Sequence, residues 1–332
     1  RPPPEGRPTA HRHALHRDGA EGARRVLPYP TSASFNPEDL WAWMEAYEAS
    51  TGGRVLALAH NGNMSNGIMF PVETNPDSGA PLTGAYAETR ARWEPLYEVT
   101  QIKGDGEAHP FLSPNDEFAD YETWDKANLG PVPKEDDMLQ YEYAREALKN
   151  GLKLEADLGT NPYKFGMVGS TDSHTALATA EEENFFGKHS GVEPSAERWK
   201  HIVGEFDTTK IVSWEMTSSG YAAVWARENT REEIWDAMMR KEVYATTGPR
   251  MIIRFFGGWD FEEDDAKARL PGEIGYTKGV PMGGDMFPAP EGAEAPTFLV
   301  AARKDPYSGN LDRIQIVKGW LDADGNTHEQ VH

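Results

Sequence analysis

The chain has 332 residues with 33 basic and 54 acidic side chains, a formal net charge of −21 that argues against nucleic acid or an anionic membrane as partner, since both select basic surfaces. There is no cysteine, which excludes disulfide frameworks, thiolate metal sites, iron–sulfur clusters and a cysteine nucleophile. At 38% hydrophobic and 11% aromatic, the chain has the material for a sizeable core, as two ordinary domains or one large α/β unit with an appendage.

The first thirty residues are rich in Pro, Arg and His and predict irregular structure. Arg1–Arg25 has no apolar core of the kind a signal peptide carries, and it reads as the interior of a longer chain. No stretch is apolar for long enough to span a bilayer, so a soluble protein is expected, either periplasmic or cytoplasmic. Asn36-Pro37-Glu38-Asp39 opens a helix: Asn36 caps, Pro37 suits the first helical position, and the acids suit the positive helix end. Leu40, Trp43, Met44 and Tyr47 follow at helical spacing, and Gly52 supplies the stop.

Arg54–Ala59 predicts a short strand that runs into His60-Asn61-Gly62-Asn63. Tyr86–Glu94 predicts a helix halted by Pro95, and Leu96–Ile102 the next strand. A loop-rich stretch, Gly104–Pro133, precedes a helix predicted over Met138–Asn150, with Asp137 as cap and Gly151 as stop. Phe165–Gly169 is a short apolar run leading into Ser170-Thr171-Asp172-Ser173-His174. Thr230-Arg231-Glu232-Glu233 is a capping box for a helix carrying Ile234, Trp235 and Met238. After Lys241 only strands are predicted: Val243–Thr246, Met251–Phe256, Thr297–Ala302 and Arg313–Leu321. The first of these could belong to either side of a soft boundary near residue 250. The order of elements predicts an α/β layer followed by a small β unit.

Histidine and aspartate carry the chemistry. His60 and His174 each follow a strand candidate, where catalytic groups of α/β folds gather. Asp172 and His174 are two apart, which in an extended segment turns both side chains to one face. A carboxylate and an imidazole converging there suit Zn²⁺, Mn²⁺ or Fe²⁺, while the same D-x-H is also compatible with a capped turn and a solvated His. His11-Arg12-His13-Ala14-Leu15-His16 is a second cluster, which reads in isolation as a flexible basic arm. His328-Glu329-Gln330-Val331-His332 matches the H-E-x-x-H zinc signature but follows an Asp322–Asn326 hairpin turn, so a strand is expected and the signature is rejected. Glu98 lies in a strand candidate, and Lys103 and His109 in the loop after it. Asn61 and Asn63 offer amides for substrate hydrogen bonds, as turn residues commonly do.

Several long strings occur in one order: His60–Gly67, Glu98–Asp105, Asn115–Asp120, Gly169–Thr175, Glu183–Lys188 and Tyr244–Arg250. Together they resemble the bacterial DUF3604 family, which looks like a branch of the PHP (polymerase and histidinol phosphatase) metallohydrolases. The resemblance implies a distorted (β/α)₇ barrel over residues 1–250, a mainly β unit over 251–332, and two or three divalent metals at the C-terminal rim. Asp172 and His174 match the last metal motif and His60 the single His after a middle strand. His11, in the His-Arg string before Arg17-Asp18-Gly19, is the further ligand implied. The H-x-H motif with which PHP proteins begin does not precede His11, so the implied barrel is incomplete at its N-terminus. The Tyr244–Arg250 string is also similar to PHP-like proteins that include a carbaryl hydrolase.

The function expected is a metal-dependent hydrolase acting on a phosphoester or another ester of a small molecule. Asp172 would hold metal and take the nucleophile's proton, and Lys103 or His109 would neutralise developing charge. Two alternatives remain at this level: a non-catalytic binding protein on a degenerate barrel, and an amidohydrolase-like amidase or deaminase.

Overall fold

A computed structural model describes residues 11–17 (backbone only), 29–30, 33–129, 133–174, 195–206, 209–216 and 220–332. Helix α1, Pro37–Thr51, begins and ends as the sequence dictates. The Asn36 side chain accepts from the Glu38 N–H, Pro37 fills the first turn, and Gly52 takes the left-handed conformation at φ 68°. Its buried face of Trp41, Met44 and Tyr47 joins the main core. Helix α2, Gly84–Trp93, is capped by Thr83, whose side chain accepts from the Tyr86 N–H.

Strands β2 (Arg54–His60), β3 (Leu96–Gln101) and β5 (Gly166–Gly169) run parallel, with β3 in the middle. All six residues of β3 are buried, as expected of a strand covered on both faces. Helices α2 and α3 lie on the connections, since parallel strands need long crossovers. The two-residue β4, Gly104–Asp105, folds back antiparallel on the end of β3. The five-stranded sheet is completed by β1, His11–Arg17, antiparallel to β2 in unbroken register from His11↔His60 to Arg17↔Arg54. This corrects the expectation of an irregular start for that segment. Backbone pairing along an edge depends on the neighbouring strand, and Pro-, Arg- and His-rich composition carries no sign of it. Among the described residues no sheet closes into a barrel.

Helix α3 corrects a second expectation. Asp136–Tyr141 forms a 3₁₀ turn, and α3 proper spans Ala144–Leu158, ending at Gly159 with φ 82°. Gly151 lies inside it because the chain comes close there: an added Cβ would overlap the Asn161 side chain. Glycine at that position makes room and does not stop the helix.

Beyond residue 195 the described elements are smaller. The hairpin β6–β7 (Ile202–Phe206, Thr209–Val212) is followed by β8 (Ala222–Val224), α4 (Arg231–Met239, capped by Thr230) and β9 (Val243–Ala245), with β8 and β9 antiparallel. Val243 packs with Leu96 and Val168, which ties β9 to the parallel sheet. A three-stranded antiparallel sheet then has the order β11–β10–β12 (Gly279–Pro281, Ile252–Gly258, Thr297–Arg303). Helix α5, Pro271–Lys278, packs on this sheet and corrects the strands-only expectation.

The last hairpin, β13–β14 (Val317–Leu321, Thr327–Val331), docks on α3, where Glu329 lies 3.6 Å from Arg145 and 3.5 Å from Lys149. H-E-x-x-H therefore sits in a strand, as expected. His328 bonds Asp322 at 2.7 Å and stacks on Trp320. No described helix is long and apolar enough to cross a membrane.

Candidate functional site

The parallel strands β2, β3 and β5 bring three polar strand ends to one edge of the sheet. His60 closes β2 and is buried, with Asn61 after it in a left-handed turn at φ 56°. Leu58 and Ala59 pair with Leu96 and Tyr97, so one step further His60 comes level with Glu98. On the other side of β3, Glu98 pairs with Val168. Two backbone bonds carry the pairing past the end of β5: Ser170 N–H to Thr100 O at 3.0 Å and Ile102 N–H to Thr171 O at 3.3 Å. They set the chain after β5 beside the chain after β3.

Lys103 and Asp172 meet there. The Lys103 ammonium donates to Asp172 Oδ2, and the His174 Nε2 lies 2.6 Å from Asp172 Oδ1. Lys103 is buried, whereas His174 is largely exposed. The D-x-H pair meets by a different route from the one spacing suggests. Asp172 (φ 44°) and His174 (φ 57°) are both left-handed, and this turn brings their side chains together. Left-handed backbone costs a non-glycine residue about 1 kcal/mol or more. Three such residues on one edge (Asn61, Asp172 and His174) mark a conformation that its surroundings impose.

Glu98 completes the group. It is buried, and the Ser170 hydroxyl and Gln101 Nε2 (2.8 Å) donate to its carboxylate. Burial pushes its pKa up; those two hydrogen bonds oppose the rise, the nearby Asp172 charge adds to it, and Lys103 opposes it. Two carboxylates thus share the field of one ammonium. A charged residue inside the buried run Leu96-Tyr97-Glu98-Val99 is a sequence signal for this role.

Other expected site residues lie elsewhere or are otherwise engaged. His109 is held in a neighbouring cluster: its Nδ1 accepts from the Phe111 N–H at 3.1 Å, and its Nε2 faces Asp125 at 3.0 Å. The hydrogen bond from His109 is the main cause of a lowered Asp125 pKa. Asn63 donates both N–H groups of its amide, to the Lys103 and Trp124 carbonyls at 2.9 and 3.0 Å, and so positions the turn that carries Lys103. Asn61 is different: its Oδ1 is buried with no hydrogen-bond partner among the described residues. His11 is the backbone register partner of His60.

Sequence reasoning missed Lys134 and Glu142. Lys134 bonds both Glu142 oxygens at 2.7 Å, Asn128 Oδ1 at 2.7 Å and the Asn63 carbonyl at 2.9 Å. Burial pulls the Lys134 pKa down and pushes that of Glu142 up, each opposed by its partner's charge. The pair clamps the turn after β2, since Glu142 also accepts from the Gly67 N–H. Nothing in a charged loop sequence announces such burial. Among the described residues no group of three or more His, Asp or Glu side chains is gathered to hold a metal ion. Glu183–Lys188 lies outside the described residues.

Fold and site together define an α/β protein with a polar, partly strained cluster at the C-terminal ends of parallel strands. The chain belongs to the family described as Protein of unknown function (DUF3604), which matches residues 4–332. No curated protein and no solved structure matches it.

Proposed function

We propose that the chain is a metal-dependent hydrolase of ester bonds, of PHP type, with its site at the shared edge of β2, β3 and β5. One observation carries this reading: the buried Glu98 and the part-buried Asp172 carboxylates lie beside the Lys103 ammonium at the ends of adjacent parallel strands. The donor chemistry fits a hard or borderline divalent ion, because imidazoles, carboxylates and the unpartnered Asn61 oxygen line one edge. The Lys103 ammonium stands where such a cation would be attracted. The strands of His60 and Asp172 flank β3, two strand spacings or about 10 Å apart. Glu98 lies between them. Among the described residues these donors are not gathered into a three-ligand group. The ligands assigned are His60, Asp172 and His174, with His11 as the further ligand the resemblance implies.

A divalent ion there supplies Lewis acidity to the ester and a more acidic water. The chain's own groups do the rest. Lys103 neutralises negative charge developing on the scissile group. Glu98 accepts from the Ser170 hydroxyl, which holds its carboxylate in place at the strand end. His174 is the solvent-facing member of the group. The substrate is a phosphoester or a carboxylic or carbamic ester of a small molecule.

The test strips the protein with chelator, reloads it separately with Zn²⁺, Mn²⁺ or Fe²⁺, and measures bound metal together with turnover of p-nitrophenyl phosphate and p-nitrophenyl acetate. Asp172→Asn should lose at least one metal equivalent, with turnover lower by orders of magnitude. The Lys103–Asp172 contact favours one rival, a binding protein in which the ammonium is the resident cation. That rival predicts no metal uptake under any loading and no turnover, and such a result would overturn the hydrolase reading.

A further inference from the structure

A cavity of about 430 Å³ opens in the C-terminal part of the chain, between β10, β12, the start of α5 and Trp225. Its charge runs against that of the molecule. In a chain of net charge −21, the lining holds Arg254, Arg269 and Arg303 against the single carboxylate of Glu273. Arg269 and Arg303 have no carboxylate within ion-pair distance among the described residues.

Arg254 is built into the wall. Its guanidinium lies 3.2 Å from the centroid of the Trp225 ring and donates to Tyr276 Oη at 2.9 Å. Tyr276 in turn donates to Glu242, so the phenol fixes the guanidinium and is itself fixed. Glu242 lies 3.9 Å from Arg254, beyond hydrogen-bond reach. Of the five N–H donors of Arg254, one is committed among the described residues.

The rest of the wall supplies an apolar body and a second anion-directed feature. Ile252 and Leu270 remain 44% and 57% exposed at the cavity, a poor arrangement for large apolar side chains unless something covers them. Helix α5 starts at the cavity without a side-chain cap, and Glu273 is the acid of its first turn. A volume of this size is within the range of small-molecule sites.

We propose that this cavity binds a small organic anion with an aromatic ring, a carboxylate, sulfonate or phosphate carried on one or two rings. The anionic head meets the arginines and the α5 start. The ring lies against the guanidinium plane and the apolar mouth, a contact arginine makes well. The site is independent of the strand-end cluster.

The probe is 2-naphthalenesulfonate, which has no ester bond to hydrolyse. Binding is followed by calorimetry and by Trp fluorescence, with sulfate supplying the charge alone and 2-naphthol the ring alone. Saturable one-to-one binding is expected, about tenfold or more tighter than either control. Arg269→Ala and Arg303→Ala, both at exposed side chains, should each weaken it roughly tenfold. Gly272→Leu should abolish it. A Cβ at Gly272 comes no closer than 3.7 Å to Arg254, so the added side chain fills the cavity without a clash at its root. Asp172→Asn should leave it unchanged. No saturable binding to the wild-type protein would overturn the proposal, as would unaltered binding in all three cavity variants. Sulfate binding as tightly as the sulfonate would overturn the aromatic assignment.

Discussion

Replacing Asp105 with Asn tests whether a buried carboxyl beside the candidate site is neutral in the native protein. Asp105 is buried on β4, against the end of β3, and its Oδ2 accepts from the Glu107 and Ala108 N–H groups at 3.0 and 3.2 Å. Burial is the largest influence and the nearby Glu107 charge adds to it; the two amides and Arg145 oppose them. The result is a pKa pushed up to about 8. Arg145 offsets little because it is already engaged by Glu107 and Asp116. A raised carboxyl pKa means that the native state keeps a proton the unfolded chain has lost. Its stabilising contribution is complete below the ordinary aspartate pKa near 4 and is lost as pH rises to about 8. One whole proton corresponds to ~1.4 kcal/mol per pH unit. Sharing the titration with a neighbouring group lowers this to about 1 kcal/mol per unit. Asn keeps an acceptor for both amides and has no proton to lose. Urea unfolding of both proteins at several pH values between 5 and 7 should therefore show the wild type losing ~2 kcal/mol relative to Asp105→Asn across that range. The other carboxylates cancel in the difference. A difference that stays flat, or that grows in favour of the wild type, would refute the assignment.

Three further outcomes are expected. Arg90→Met should destabilise the protein by about 3–5 kcal/mol in urea melts, because Glu94, 3.2 Å away and buried, would lose its cation. Gly151→Ala should cost about 1–3 kcal/mol despite alanine's better helix propensity, since the methyl group meets an Asn161 side chain pinned by the Tyr163 N–H; equal or higher stability would refute the close-packing account. Lys103→Met should reduce ester turnover of the metal-loaded protein while bound metal is kept or increased, as read by elemental analysis, because the ammonium competes for Asp172.

How much of the fold could be read from the sequence depended on how local each signal was. Asn36, Pro37 and Gly52 bound α1 through contacts within a few residues, and the structure matches them. The start of α3 lacks such a signal: Tyr143 precedes it without a side-chain cap, and the acids before it go into a 3₁₀ turn. Gly151 and Gly275 look like helix breakers in a linear reading. Each instead makes room, for Asn161 and for the Phe256 ring, and those neighbours are known only once the chain has folded. Strand β1 is the extreme case, because its structure is its pairing with β2, some forty residues further along the chain.

At the site the balance is different. Parallel strands all point the same way, so a polar residue just after each apolar run must reach the same edge. That is why His60 and Asp172 were readable without knowing the order of the sheet. Which of them are neighbours depends entirely on that order. With β3 between β2 and β5, His60 and Asp172 are kept apart, and Glu98, one charged residue in an otherwise buried strand, becomes the group both sides share. The same arrangement sets Lys103 on Asp172. Among the described residues the Glu98 and Asp172 carboxyl groups have the Lys103 ammonium beside them. A cluster with one positive charge for two potential negative ones has electrostatic room for a further cation, and metal loading of the wild type and of Lys103→Met measures that room directly.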